Sequence, residues 1–199
     1  MFGALGSAAR ARPLSSAALT GFTVMSIGDA ASQVLVKGSS SELDMQRNLV
    51  SSIYNGFASP GFYQWYRIMD WLIPGASPLR LIPKTLLSQI VTTGLNNPVY
   101  LVWCSHVEAF LNSMHSGTSL ASSVLSVDWA AVRGQSMEKL FAELPNLYGY
   151  SMLFWLPVTG ANYAFVPNHL KILWVSSASV AWGGFQSHVA HRRSHEEHV

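Results

Sequence analysis

Asp29 and Gln33 stand four residues apart in an apolar run, so on a helix a carboxylate and a carboxamide share one side. Gln89, Asn96 and Asn162 interrupt later apolar segments in the same way. Such groups either hydrogen-bond helices to one another or line a path for polar solutes. An Asp at membrane depth costs on the order of 2.5–3.5 kcal/mol on insertion scales, so it marks a buried pair or a pathway. At the other end of the chain His188, His191, His195 and His198 recur at spacings of three, four and three. On a helix these form one stripe with ligand-like spacing for a transition metal. No Cys or acidic partner is fixed beside them, and with Arg192 and Arg193 they also read as a basic tail meeting water or headgroups, so no metal site is assigned. The single Cys104 excludes an intrachain disulfide and reads as a small buried hydrophobe. Neither a phosphate-cradling glycine loop, a GxSxG elbow nor an HExxH pair occurs, so the chain reads as a non-enzyme with no catalytic residue and no cofactor.

The elements that carry these residues are read from the charges. Of 199 residues 49% are hydrophobic and only 11% charged, against roughly 25% in soluble domains. Charge-free stretches recur: 16 residues between Arg12 and Asp29, 19 between Arg47 and Arg67, 23 between Lys84 and Glu108, and 27 between Glu143 and Lys171. A membrane-crossing helix needs about 20 mostly apolar residues, so these stretches are span-sized. The expected fold is therefore all-α: a polytopic membrane bundle of four to five transmembrane helices plus one interfacial amphipathic helix. A net charge of +2 on scattered basic residues argues against a nucleic-acid partner; the lipid bilayer, and other membrane subunits, are the expected ones.

Residues 1–14 hold Arg10 and Arg12, small residues and no acid, as in a mitochondrial targeting segment. Residues 15–190 form one membrane domain and 191–199 a polar His/Arg tail. The spans are placed at about 15–36, 48–73, 84–111, 147–166 and 168–189. Residues 113–127 extend the third helix or form a loop, and 128–144 form the amphipathic helix, with Glu143 off its apolar stripe. Gly56, Pro60, Pro98, Pro157 and Pro167 are expected to break or kink helices, and Pro74, Gly75, Pro78 and Pro83 to make a stiff turn. Trp65, Tyr66, Trp155 and Trp182 suit the headgroup level. Arg47, Arg67, Asp70, Lys84 and Lys171 are expected near span ends as paired or gating charges.

The run Gly28-Asp29, Gln33, Arg47, Gly56, Pro60, Trp65-Tyr66, Asp70 and Pro74-Gly75 resembles the Mpv-seventeen / 22-kilodalton peroxisomal membrane protein family. Lys84 and Gln89 resemble that family's KxxxxQ element, and Trp155, Asn162, Val166-Pro167, Lys171 and Trp182 its C-terminal signature. The resemblance covers about residues 18–193. Departures are Pro157, displaced by one from the usual Trp-Pro pair, Thr159 where Gln is usual, Ser88 for the Asp before Gln89, Tyr63 for a frequent His, and Lys171 for Arg.

The resemblance implies about four membrane helices, residence in the inner mitochondrial membrane or alternatively the peroxisomal membrane, and a channel-like role without a defined reaction. In that role Asp29, Gln33, Asn96 and Asn162 line a narrow path. The alternative is a non-catalytic accessory subunit of a larger mitochondrial membrane complex.

Overall fold

The computed structural model describes residues 12–37, 42–75, 77–114, 120–166 and 171–191, and these are helical apart from short connections. Six helices are described: α1 (Pro13–Lys37), α2 (Met45–Leu72), α3 (Pro78–Met114), α4 (Leu120–Ser126), α5 (Trp129–Ala164) and α6 (Lys171–His191). Caps account for two of the starts. Asp44 accepts from the Arg47 backbone N–H at 2.9 Å, and Asp128 accepts from those of Ala130 and Ala131 at 3.1 and 3.0 Å. Both satisfy amide groups that a first helical turn leaves open.

The five long helices close into a ring, α1 against α2, α2 against α3, α3 against α5, α5 against α6, and α6 back against α1. Contacts between consecutive members run in opposite senses along the chain, as in Ser26–Asn48, Tyr54–Asn96, Thr93–Ser151 and Val158–Trp174. The order is therefore up-and-down, which short connections allow. One cluster of Met25, Val50, Tyr54, Tyr100, Leu101, Cys104, Leu147 and Trp182 joins all five helices.

Several expectations are corrected. The amphipathic segment 128–144 and the fourth span are one helix, α5, which runs through Pro145, and Glu143 lies buried within it. Pro60, Pro98 and Pro157 sit inside helices and end none of them. A proline removes one intrahelical bond and crowds the carbonyl four residues earlier. At Pro60 and Pro98 that earlier residue is Gly56 or Gly94, which removes one source of crowding. Gly56 likewise breaks nothing and packs at Phe22 and Ala18. Pro78 and Pro83 begin α3, leaving Pro74 and Gly75, at φ +99°, as the turn. Residues 120–126 form the separate short helix α4. Pro167, the residues of the targeting-like segment before Arg12, and the tail histidines His195 and His198 lie outside the described residues, as do the side chains of Lys171, His188 and His191.

Among the described residues the usual distribution of side chains is inverted. Nineteen polar or charged residues are buried against ten hydrophobic ones, while thirty large hydrophobic side chains lie exposed, Phe57 at 76% and Leu153 at 76% among them. A soluble protein buries its large aliphatic residues and does not show so extensive an apolar exterior. Among the described residues no helix is long and apolar enough to cross a membrane. Length is ample, at 25, 28, 37, 36 and 21 residues; the Ser, Thr, Asn and Gln turned inward dilute the apolar character.

The α1–α6 contact depends on missing side chains. A Cβ on Gly28 would meet the Val180 carbonyl oxygen at 2.5 Å, and one on Gly184 would meet the Gly28 carbonyl oxygen at 2.6 Å. Gly28→Val should therefore lower stability by about 1–3 kcal/mol, typical of overpacking, in thermal unfolding in detergent. Gly61→Ala, at a position with nothing within 4 Å, should leave the midpoint in place or raise it.

Candidate functional site: two buried polar clusters

The first cluster joins α1 to the start of α2. Asp29 is fully buried and Arg47 is 6% exposed; the Arg47 Nε donates to Asp29 Oδ1 at 2.9 Å. Gln33, one turn after Asp29, donates from Nε2 to Asp29 Oδ2 at 2.8 Å and to the Asp44 carbonyl at 3.0 Å. Its Oε1 accepts from the Asp44 N–H at 2.6 Å. One carboxamide thus holds the carboxylate in place and the backbone that opens α2, while the Asp44 side chain caps that helix. Charge-assisted bonds of this kind are stronger than neutral ones, and the low-dielectric surroundings make their loss expensive.

The second cluster is a seam between α3 and α5. Thr85, Gln89, Thr93 and Asn97 recur every fourth residue on α3 and are all buried. On α5 Ser151 meets this row, and Thr159 and Asn162, eight and eleven residues further on and so on nearly the same helix face, are also buried. Gln89 Nε2 donates to Thr93 Oγ1 at 2.5 Å and to the Ser151 carbonyl at 3.3 Å, and the Thr93 and Ser151 hydroxyls lie 3.0 Å apart. Gln186 of α6 reaches Asn97 Oδ1 at 3.4 Å. Toward the α3 start, Lys84 is 3% exposed; its ammonium pairs with Asp70 of α2 and lies 4.5 Å from the Tyr163 ring centroid.

Several polar atoms of the seam are left over. Thr85 Oγ1, Asn97 Nδ2 and Asn162 Oδ1 are buried along the seam and, among the described residues, have no hydrogen-bond partner; the same holds for Trp65 Nε1 on α2. Buried polar atoms are nearly always paired, and each that is not costs about 1–3 kcal/mol. A row offering both donors and acceptors is chemically suited to water or a small hydrogen-bonding solute.

The expected site residues fall apart accordingly. Asp29 and Gln33 belong to the α1–α2 tie; Gln89 and Asn162 belong to the seam. Asn96 belongs to neither, since its Oδ1 accepts from the Tyr54 hydroxyl at 2.8 Å between α2 and α3, and its neighbour Asn97 faces the seam instead. Arg67 is exposed beside Gln64 and Tyr63, whereas Asp70 pairs with Lys84. Trp155 and Trp182 pack on each other at 6.2 Å between ring centroids, in an aromatic cluster with Phe154 and Phe185 between α5 and α6. Trp65 and Tyr66 are half-buried. Thr85, Thr93, Ser151 and Gln186 were not among the expected residues, although the four-residue spacing on α3 signals three of the seam positions with Gln89. Among the described residues no group of His, Cys, Asp and Glu could hold a metal ion.

Removing one partner of a buried ion pair strands the other. Arg47→Gln should cost about 3–5 kcal/mol in unfolding free energy. Adding Asp29→Asn to it should recover a large part of the loss, as read in a double-mutant cycle of detergent unfolding. Additive losses would show that the two charges do not stabilise one another.

The sequence profile of the Mpv17 / PMP22 family matches residues 130–187, which are α5 and most of α6. The mitochondrial inner membrane protein Mpv17 of Rattus norvegicus is 28% identical over 184 residues, covering 92% of this chain and 93% of that one. The Homo sapiens protein of the same name matches at 28% over the same shares. The peroxisomal membrane protein PMP22 of Arabidopsis thaliana is 22% identical over 175 residues, 87% of this chain and 80% of its own. No solved structure matches. With nearly the whole chain covered by these relatives, this is an organelle membrane protein that resembles the Mpv17 / PMP22 family along almost its full length.

Proposed function

We propose that this protein spans the inner mitochondrial membrane as a ring of five helices, and that the α3–α5 seam is the closed form of a narrow path for small polar solutes. The inverted distribution of side chains supports the membrane setting, because an exterior of large apolar residues around a polar interior suits lipid as solvent. The placement of charge supports it too. Arg47 and Asp70 are 23 residues apart on α2, roughly 35 Å at ~1.5 Å per residue, and each belongs to a charge pair with a neighbouring helix. A hydrocarbon core is about 30 Å thick, so both pairs fall near its edges. The names of the mitochondrial relatives supply the compartment.

The row of unpartnered buried atoms in the seam carries the path reading. A purely structural seam gains nothing from leaving Thr85, Asn97 and Asn162 unsatisfied, whereas a path needs groups that can exchange partners with a passing solute. Seam groups from Thr85 to Asn97 extend over roughly 18 Å of α3, a large part of the hydrocarbon thickness. The path is closed here, since these groups are buried, and opening it means parting α3 from α5. The Lys84 contact with Asp70 and Tyr163 joins α2, α3 and α5 at one end and serves as a closing charge. No bond-breaking step is asked of any residue.

An accessory-subunit role is the competing reading, and departures from the polar residues of the family pattern would support it. Two of those positions, Ser88 and Thr159, are buried and still carry hydroxyls, so a carboxylate and a carboxamide give way to neutral groups that keep hydrogen-bonding capacity. That favours the path. Migration in blue-native electrophoresis inside a complex of fixed larger size would favour the subunit reading instead.

Reconstitution into planar bilayers and solute-loaded liposomes tests the proposal. The wild-type chain should show conductance or release of small polar solutes; silence at every voltage and pH would end it. Thr85→Val with Asn162→Leu should cut the flux several-fold while leaving thermal stability unchanged or higher, because apolar groups replace unsatisfied polar ones. A loss of stability without loss of flux would mean that the two residues only hold helices together.

A further inference from the structure

We infer that Lys84 sets the charge preference of the seam, so that anions and uncharged solutes pass in preference to cations. The inference rests on the path reading and adds the class of solute. The side chains facing one another across the seam, Thr85, Gln89, Thr93, Ser151, Thr159 and Asn162, are all uncharged. Lys84 is the exception, buried at its end against Tyr163, the residue that follows Asn162 on α5. A solute meeting the unpartnered Thr85 and Asn162 groups meets that ammonium as well.

The Asp70 carboxylate does not cancel this charge inside the seam. Its side chain is 66% exposed, whereas that of Lys84 is 4% exposed. The pair is a dipole with its positive end inward: the ammonium lies against Tyr163 of α5, whereas the carboxylate is on the outer side, where the higher dielectric of its surroundings weakens its field. The interior therefore carries a positive potential although the pair is formally neutral. The face of the Tyr163 ring is already occupied by the ammonium and offers a second cation nothing.

Charges elsewhere do not reverse the preference. Asp29 and Arg47 are buried to similar degrees and offset one another. Glu143 is buried on α5, but it lies 20 residues before Tyr163, roughly 30 Å away, with Lys139 one turn from it. Passage along a path is a series of steps, and for cations the least favourable is the one beside Lys84.

Reversal potentials of the reconstituted full chain in a tenfold potassium chloride gradient test the inference. The wild-type potential should lie toward the chloride equilibrium value. Lys84→Gln should lower the anion-to-cation permeability ratio several-fold, Lys84→Arg should retain it, and Asp70→Asn should retain or raise it. Circular-dichroism melts of each variant report folding, and Asp70→Asn, which breaks the same pair but keeps the ammonium, separates lost charge from lost structure. A wild-type potential on the potassium side, or an unchanged ratio in Lys84→Gln, would overturn the inference while leaving the path in place. Absence of any conductance would overturn the path itself.

Discussion

A polar group turned into this bundle must find its partner inside the bundle, because the exterior that surrounds it is made of large apolar side chains. Everything else in the structure follows from that constraint. For an inward-turned hydroxyl or amide the way out leads past Phe57, Leu95, Leu153 and their neighbours. The helices are consequently held by Asp29–Arg47, by Gln33 on the Asp44 backbone, by Ser51 with Tyr100 and by Tyr54 on Asn96, as much as by the apolar cluster around Val50 and Leu101.

The constraint is met by two different kinds of polar contact. In the α1–α2 tie Gln33 uses both ends of its amide and the carboxylate of Asp29 receives both Gln33 and Arg47. Close approach of α1 to α6 at Gly28 and Gly184 adds to the rigidity of that side. Across the ring, α3 and α5 meet through groups that are only partly paired.

Similarity to the Mpv17 / PMP22 family gives these features a setting, and the departures from the pattern that the sequence resembles bear on the seam. Ser88 and Thr159 put short hydroxyl side chains where the family pattern has longer polar ones. A hydroxyl keeps hydrogen-bonding capacity while carrying no charge. The contact of Lys84 with Tyr163 and Asp70 then stands as the fixed charge at the end of an otherwise neutral interface.

What the sequence determined by itself was the helical class, the five long elements and the inward direction of Asp29, Gln33, Gln89 and Asn162, because charge-free gaps and isolated polar residues are local signals. It also carried the family resemblance, spread over short motifs whose order matters more than any one of them. It misplaced the ends of elements: Pro60, Pro98 and Pro157 look like breaks in a one-dimensional reading, yet packing around the ring keeps those helices whole, and the segment from Asp128 to Leu144 looks separate until α5 is seen to pass through Pro145. Partners were decided by the tertiary structure alone. Whether Asp70 meets Arg67 or Lys84, whether Asn96 or Asn97 faces the seam, and whether Trp155 and Trp182 sit at a boundary or against each other all depend on helix rotation and on which helix is the neighbour. Four-residue spacing limits which residues can share a face, but only the closing of the ring says what that face meets.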